Sequence, residues 1–336
     1  MKNKLVTTLL LIAICLLQLN GFCQVKQVGP IGITVSQMDR SVRFYHEVLG
    51  FKKLSDAELY GTEYEDLQGI FGLRMRIVRM QLGDEIIELT DYLTTGGRSI
   101  PENAKSNDLS FQHIAIVVSD MEKAYTQLKK YNIEHVSTGP QTLPASIPAA
   151  AGIKAFYFHD PDNHNLELIW FPKGKGLPKW QQSSGNVFLG IDHTAIGVSN
   201  TDSSLQFYQQ ILGIERKGDS WNKGTEQAHL NFVENASLHI TGLRTAAGPG
   251  IEFLEYLVPG PGKPYPVDSR PDDIWHWQTT LITDNAERLY REMTRLHYHI
   301  ISRQLVHLQT TDGKHSKAFI VRDRDGHAML IRENIH

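Results

Sequence analysis

Residues 31–51 read IGITVSQMDRSVRFYHEVLGF, and residues 194–214 repeat that pattern as TAIGVSNTDSSLQFYQQILGI. Two looser copies follow the same plan, IAIVVSDMEKAYTQLKKYNI at 114–133 and QTTLITDNAERLYREMTRLHY at 278–298. Each copy opens with a short run of alternating apolar residues, the period of a half-buried strand. A turn of Ser, Thr, Asn or Asp follows, and these residues cap the amphipathic helix that comes next. Gly50 and Gly213 end two of these helices as glycine C-caps. Gly83-Asp84 then separates RMRIVRMQL (74–82) from EIIELTDYL (85–93), which marks a hairpin. The unit is therefore strand, helix, three strands, given four times. Such a repeat, with mostly antiparallel strands and helices on one side, predicts an α+β fold of paired βαβββ modules.

The 336 residues suffice for two domains, and a hydrophobic fraction of 41% fills real cores. Net charge is -3 and there is no Lys/Arg-rich run, so the electrostatic footprint of a nucleic-acid binder is missing. Lys2 and Lys4 precede an apolar run from Leu5 to Leu17, too short to span a bilayer comfortably. Residues 1–23 thus read as a signal peptide cleaved before Gln24, which places the mature protein in the periplasm or outside the cell. Bulky Ile14 and Phe22 precede Cys15 and Cys23, which disfavours a lipoprotein. Both cysteines lie in this segment, so the mature chain has no disulfide, thiolate ligand or cysteine nucleophile. Two repeats occupy 28–172, a Gly/Lys/Ser/Gln-rich linker 173–188, and two more repeats 189–334.

The FYHEVLGF and FYQQILGI helices and the runs HDPDNHNLELIWF and RDRDGHAMLIREN resemble the vicinal oxygen chelate superfamily. That superfamily includes glyoxalase I, extradiol dioxygenases and fosfomycin and bleomycin resistance proteins. The resemblance covers nearly the whole mature chain. It implies that two modules curl into one open barrel, with a divalent metal held in the cup. The ligands implied are a residue on the first strand and a Glu on the last strand of each module. It implies a metal-chelating style of catalysis without fixing the reaction.

Carried over by register, the first-strand position is His113, five residues before Val118, and His193, five before Val198. The same count lands on Pro30 in the first repeat and on Trp277 in the fourth, with His276 one residue away and on the opposite face. The last-strand positions are Glu88, Glu167, Glu252 and, in the fourth repeat, Leu330. With consecutive repeats sharing a cup, the resemblance gives the N-terminal half Glu88, His113 and Glu167 as metal ligands. The C-terminal half keeps a weaker pair, His193 and Glu252. One imidazole and two carboxylates suit Zn, Fe, Mn or Ni, and three protein ligands leave positions open for substrate oxygens. Glu167, or else Glu88, would leave the metal to act as general base, as a ligand Glu does in glyoxalase-like members. The expected function is an exported metal-dependent enzyme acting by Lewis-acid lyase/isomerase or dioxygenase chemistry on a small-molecule substrate. Extradiol members take a His from each first strand and one Glu, which the N-terminal half does not offer. Pairing of modules between two chains, giving a homodimer, is compatible with the same sequence.

Blander readings apply to single residues. Glu85 beside Glu88 reads as a solvated strand position, and Arg76 and Arg79 as solvent-facing strand arginines or anion binders. His159, His164 and His327 belong to Asp/Asn turns with structural roles. His46, His299, His307 and His315 show no partner pattern. The alternative function is a metal-free, sequestering binding protein, with Trp275, Trp277 and Leu330 around an apolar ligand.

Overall fold

A computed structural model describes residues 25–183, 185–309 and 315–335. Residues 1–23, read above as a signal peptide, lie outside the described residues. The first module comprises β1 (Val25–Thr34), α1 (Met38–Arg43, continued by a π-turn at Phe44–Val48), β2 (Lys52–Tyr60), α2 (Thr62–Gln68), β3 (Arg74–Leu82) and β4 (Glu85–Tyr92). The second has β5 (Gln112–Val118), α3 (Met121–Lys130), β6 (Gln141–Thr142), β7 (Lys154–His159) and β8 (Asn165–Trp170), followed by a 3-10 turn at Pro178–Gln181. The third has β9 (Phe188–Gly197), α4 (Thr201–Leu205, continued by a π-turn at Gln206–Ile211), β10 (Glu215–Lys223), α5 (Thr225–Asn231), β11 (Ser237–Arg244) and β12 (Gly250–Val258). The fourth has β13 (Trp277–Thr283), α6 (Ala286–Arg295), β14 (Val306–Gln309), β15 (His315–Arg322) and β16 (Ala328–Ile335). Asp120, Asn200 and Asn285 cap α3, α4 and α6, each accepting from the backbone N–H three residues on, as the turn chemistry predicts. Among the described residues no helix is long and apolar enough to cross a membrane.

The strands form two eight-stranded curled sheets, ordered β14-β15-β16-β13-β1-β4-β3-β2 and β10-β11-β12-β9-β5-β8-β7-β6. In every module the first strand lies parallel to the last, and hairpins extend outward from there. The seam of each sheet is antiparallel, β1 against β13 and β5 against β9. The expected α+β fold of paired modules is thus present, but the pairing differs from expectation. The first module shares its sheet with the fourth, and the second with the third. Consecutive modules do not share a cup. All four first strands carry equivalent apolar patterns, so strand pattern alone does not choose among pairings. The long segments 93–111 and 259–276 let the chain cross between sheets, and every first strand gains a partner on its free edge.

The halves 28–172 and 189–334 nevertheless share cores on the helix side. Ile31, Tyr45, Phe51, Leu128, Phe156 and Phe158 belong to one buried cluster, and Phe207, Tyr208, Phe253, Met293 and Phe319 to another. The Asp-rich turns clamp each half. Tyr45 Oη donates to Asp160 Oδ2 at 3.1 Å, and Tyr208 Oη donates to Asp323 Oδ2 at 2.9 Å. His164 places one ring nitrogen 2.9 Å from Asp160 Oδ2 and the other 2.7 Å from the Ile274 carbonyl. Both partners only accept, so the ring carries two protons. Burial opposes that charge, and the Asp160 carboxylate overcomes it, raising the imidazole above its usual range. The structural reading of His164 and His327 holds, since His327 Nε2 similarly lies 2.7 Å from the Gly197 carbonyl. Tyr208→Phe leaves Asp323 one donor short in a buried site, so it should destabilise the protein by about 1–3 kcal/mol in denaturant titration. A loss below ~0.3 kcal/mol would show that the clamp contributes nothing.

Candidate metal centre

The β5–β9 seam sets the geometry of the second cup. Ala115 stands opposite His193, and Ala195 opposite His113. On the outer side of each alanine lies the adjacent last strand, with Glu167 beside Ala115 and Glu252 beside Ala195. Two imidazoles and two carboxylates therefore surround two small, fully buried side chains. His113 Nε2 is 3.1 Å from Glu167 Oε2, His193 Nε2 is 3.6 Å from the same oxygen, and His193 Nε2 is 3.4 Å from Glu252 Oε2. Donor atoms of His113, Glu167 and His193 all lie within 4.8 Å of one another. Glu252 flanks this triad and is the most open of the four, its side chain 27% exposed.

These nitrogens have nothing else to do. Both ring nitrogens of His113 and Nε2 of His193 are buried without a hydrogen bond. An orphaned buried nitrogen costs about 1–3 kcal/mol unless something binds it, and a cation among the two carboxylates removes that cost for Nε2 of both rings. The donor set therefore fits a divalent metal of the borderline, N/O-binding kind. Phe111 and Tyr157 pack on the His113 ring at 5.6 and 4.9 Å between centroids. Leu230, Val233, Leu254 and Tyr256 continue that apolar wall. Burial opposes charge on His193, but the carboxylates of Glu252, Asp192 and Glu167 outweigh it and raise the imidazole to about 9. Burial pushes the Glu252 carboxyl up, with His193 pulling partly against it. Asp192 is also buried, yet bonds from its neighbours, His193 first, hold its carboxyl at about 2.

The expected grouping of Glu88 with His113 and Glu167 is not what the structure brings together. Glu88 lies on β4 in the other sheet, beside Gly32, because the first module pairs with the fourth. Burial raises its carboxyl, and Arg79 and then Arg332 pull against that. Arg79 Nε is 3.2 Å from Glu88 Oε1. His113 and Glu167 do meet, and the partners they gain are His193 and Glu252, the pair assigned to a separate weaker site.

The fourth module's first-strand position is also corrected. Thr280 pairs with Leu330 as Ala115 pairs with Glu167, so the counterpart of His113 is Gln278 and not Trp277. Counting back seven residues from the helix N-cap finds it in the sequence, as it finds Pro30, His113 and His193. Trp277 faces the helix-side core, edge-on to His164 at 5.6 Å, and Trp275 Nε1 donates to Ser269. The tryptophans therefore do not line an apolar cup together. His276 is buried and its imidazole is lowered to about 3, by burial and then by Arg322. The first cup presents Pro30, Glu88, Gln278 and Leu330, a set with no imidazole and a single carboxylate, which faces Arg79.

Other single-residue readings divide. Glu85 is 6% exposed, not solvated; it accepts from the Ile191 N–H at 3.0 Å and pairs with Lys179. Arg76 is occupied by Asp56 and Asp39 at 2.8 and 2.9 Å. His46 Nδ1 lies 2.8 Å from the Phe51 carbonyl. Asp192 was not legible as a site residue in the sequence, because only a β-bulge brings it beside its neighbour's ring.

The sequence model of the Glyoxalase/Bleomycin resistance protein/Dioxygenase superfamily matches residues 27–168 and again 190–331. Similar curated proteins include glyoxalase I of Saccharomyces cerevisiae, 27% identical over 54% of this chain and 55% of the relative. Another is 2-epi-5-epi-valiolone epimerase of an Actinomyces species, 30% identical over 44% of this chain and 80% of the relative. The chain thus spans about half the length of the yeast protein. Among solved structures, glyoxalase I from Zea mays superposes with a TM-score of 0.57 at 16% identity, covering 92% of both chains. A Bacillus subtilis protein described as a putative dioxygenase gives 0.55 at 14%, covering 94% of this chain and 87% of that one. These two likenesses establish the shared fold.

Proposed function

Given a chain that belongs to the Glyoxalase/Bleomycin resistance protein/Dioxygenase superfamily, we propose that the second cup is a divalent-metal site for lyase, isomerase or epimerase chemistry on a small vicinal-oxygen substrate. The observation that carries this reading is the convergence of His113, Glu167, His193 and Glu252, with Nε2 of both imidazoles buried and without a hydrogen bond. A bound divalent ion would act there as a Lewis acid, polarising a substrate carbonyl or hydroxyl. The chain's own residues do the rest. His113 and Glu167, almost fully buried, form the rigid side of the cup. Phe111, Tyr157, Leu254 and Tyr256 wall the site off from water, and the buried Tyr256 hydroxyl, free of a protein partner, can bond a substrate oxygen. Glu252 stands outside the tight triad and nearer solvent, so it is the carboxylate placed to take a proton from substrate carbon and return it. This replaces Glu167 and Glu88 as the favoured base. Export of the protein is part of the proposal and rests on residues 1–23 alone.

A second reading has its own observation. His113, His193 and Glu167 are a two-histidine, one-carboxylate triad, the donor set of non-haem iron oxygenases. Glu252 decides between the two. In metal-loaded protein, solvent-deuterium incorporation into a panel of small α-hydroxy ketones and α-keto-aldehyde hemithioacetals measures proton transfer. Glu252→Gln should hold metal within about tenfold of the parent and lose about 10²–10⁴ of the exchange rate. Absence of exchange with every panel member, together with oxygen uptake on catechols in the ferrous form, would overturn the lyase/isomerase reading in favour of the oxygenase.

A further inference from the structure

We infer that Asp192 is a positioning residue for His193, and that the segment joining the two halves of the chain holds Asp192 in place. The inference rests on the metal reading of the second cup. β9 carries a bulge here: Ala115 pairs with His193 and Ile116 with Ile191, so Asp192 is the extra residue. A bulge lets two successive side chains point to the same side of a strand. Asp192 is 4% exposed and fully engaged. Its Oδ2 takes His193 Nδ1 at 3.0 Å and Arg244 Nη2 at 2.6 Å, and its Oδ1 takes Trp180 Nε1 at 2.6 Å. A carboxylate only accepts, so Nδ1 carries the proton and Nε2 is the nitrogen turned to Glu167 and Glu252. That is the arrangement by which outer carboxylates fix the orientation and basicity of metal-binding imidazoles. His113 has no such partner on Nδ1, so the two imidazoles are not equivalently held.

Trp180 belongs to the 3-10 turn Pro178–Gln181 of the connecting segment, a stretch whose composition suggests only a spacer. It is almost buried, with Lys179 Nζ 4.3 Å above its ring. A side chain at Gly190 would lie 2.8 Å from its ring and 2.5 Å from Glu85 Oε2, so glycine is what lets both approach the bulge. Glu85, from the other sheet, accepts from the Ile191 N–H and so pins the bulged backbone. The metal site of one sheet is thereby buttressed by the connecting segment and by a hairpin of the other sheet.

The test measures the dissociation constant of zinc by chelator competition at fixed pH, with thermal unfolding of the metal-free protein alongside. Asp192→Asn should weaken zinc about 10–100-fold, the usual effect of removing an outer-shell partner. Trp180→Phe keeps the ring and removes only the N–H donor, and should weaken zinc about tenfold. Tyr208→Phe serves as the control for stability, since it should lower the unfolding midpoint and leave zinc affinity unchanged. If the parent protein binds zinc and both variants bind within twofold of it, the positioning role is overturned. A loss in Asp192→Asn alone would keep Asp192 and overturn the part of the connecting segment. A parent protein that binds no zinc overturns the metal reading itself.

Discussion

Replacing either His113 or His193 by alanine is expected to abolish stoichiometric metal binding, and Glu88→Ala is expected to leave it intact. The two histidines come from different halves of the chain, 80 positions apart, and meet only because β5 and β9 form one seam. Each alanine variant leaves one imidazole facing two carboxylates. Loss of a direct ligand should exceed the 10–100-fold effect of an outer-shell residue, so a fall of at least about 100-fold in affinity is expected. Glu88 lies in the other sheet with Arg79 and has no route to the site. Metal analysis of protein purified without chelator, with each variant beside it, reads the result. Metal kept in His193→Ala and lost in Glu88→Ala would restore a site confined to the first half and sink the one described.

A fragment of residues 25–172 expressed alone is expected not to form a monomeric, metal-binding domain. In the intact chain β1 and β5 are central strands, each covered on one side by a strand from the second half. Every residue of β5 is buried. Removing the second half strips β13 and β9 from these edges and leaves two rows of unpaired, apolar-flanked backbone groups, which are templates for aggregation. It also removes Phe188, Ile191 and Trp277 from the helix-side core, along with His193 and Glu252. Size-exclusion chromatography and thermal unfolding should show insolubility or self-association without a cooperative transition. Mixing with a fragment of residues 173–335 should recover a 1:1 complex that binds metal. A monomeric 25–172 fragment with a sharp transition and one bound metal would refute the crossed pairing.

The repeat itself was plain in the sequence because it rests on local physics. Alternation gives the strands, Asp120, Asn200 and Asn285 give the caps, and Gly50, Gly83 and Gly213 stand at positive φ where helix ends and a tight turn need them. The site residues on those elements were also legible one by one, since a first-strand position lies seven residues before each N-cap. Only in the fourth module did counting from an apolar residue miss Gln278 by one, and one residue in a strand is the difference between cup and core.

What the sequence determined by itself is the module and the chemistry each copy brings: His and Glu in the second and third, Pro, Glu, Gln and Leu in the others. What only the tertiary structure decided is which copies meet. Four strands with equivalent apolar edges can pair in more than one way, and no local pattern ranks those pairings. The crossed arrangement gathers the His and Glu of two modules into one cluster and leaves Glu88 to Arg79. It also turns Asp192 toward its neighbour, because a bulge arises from the mismatch between two paired strands and not from either strand alone.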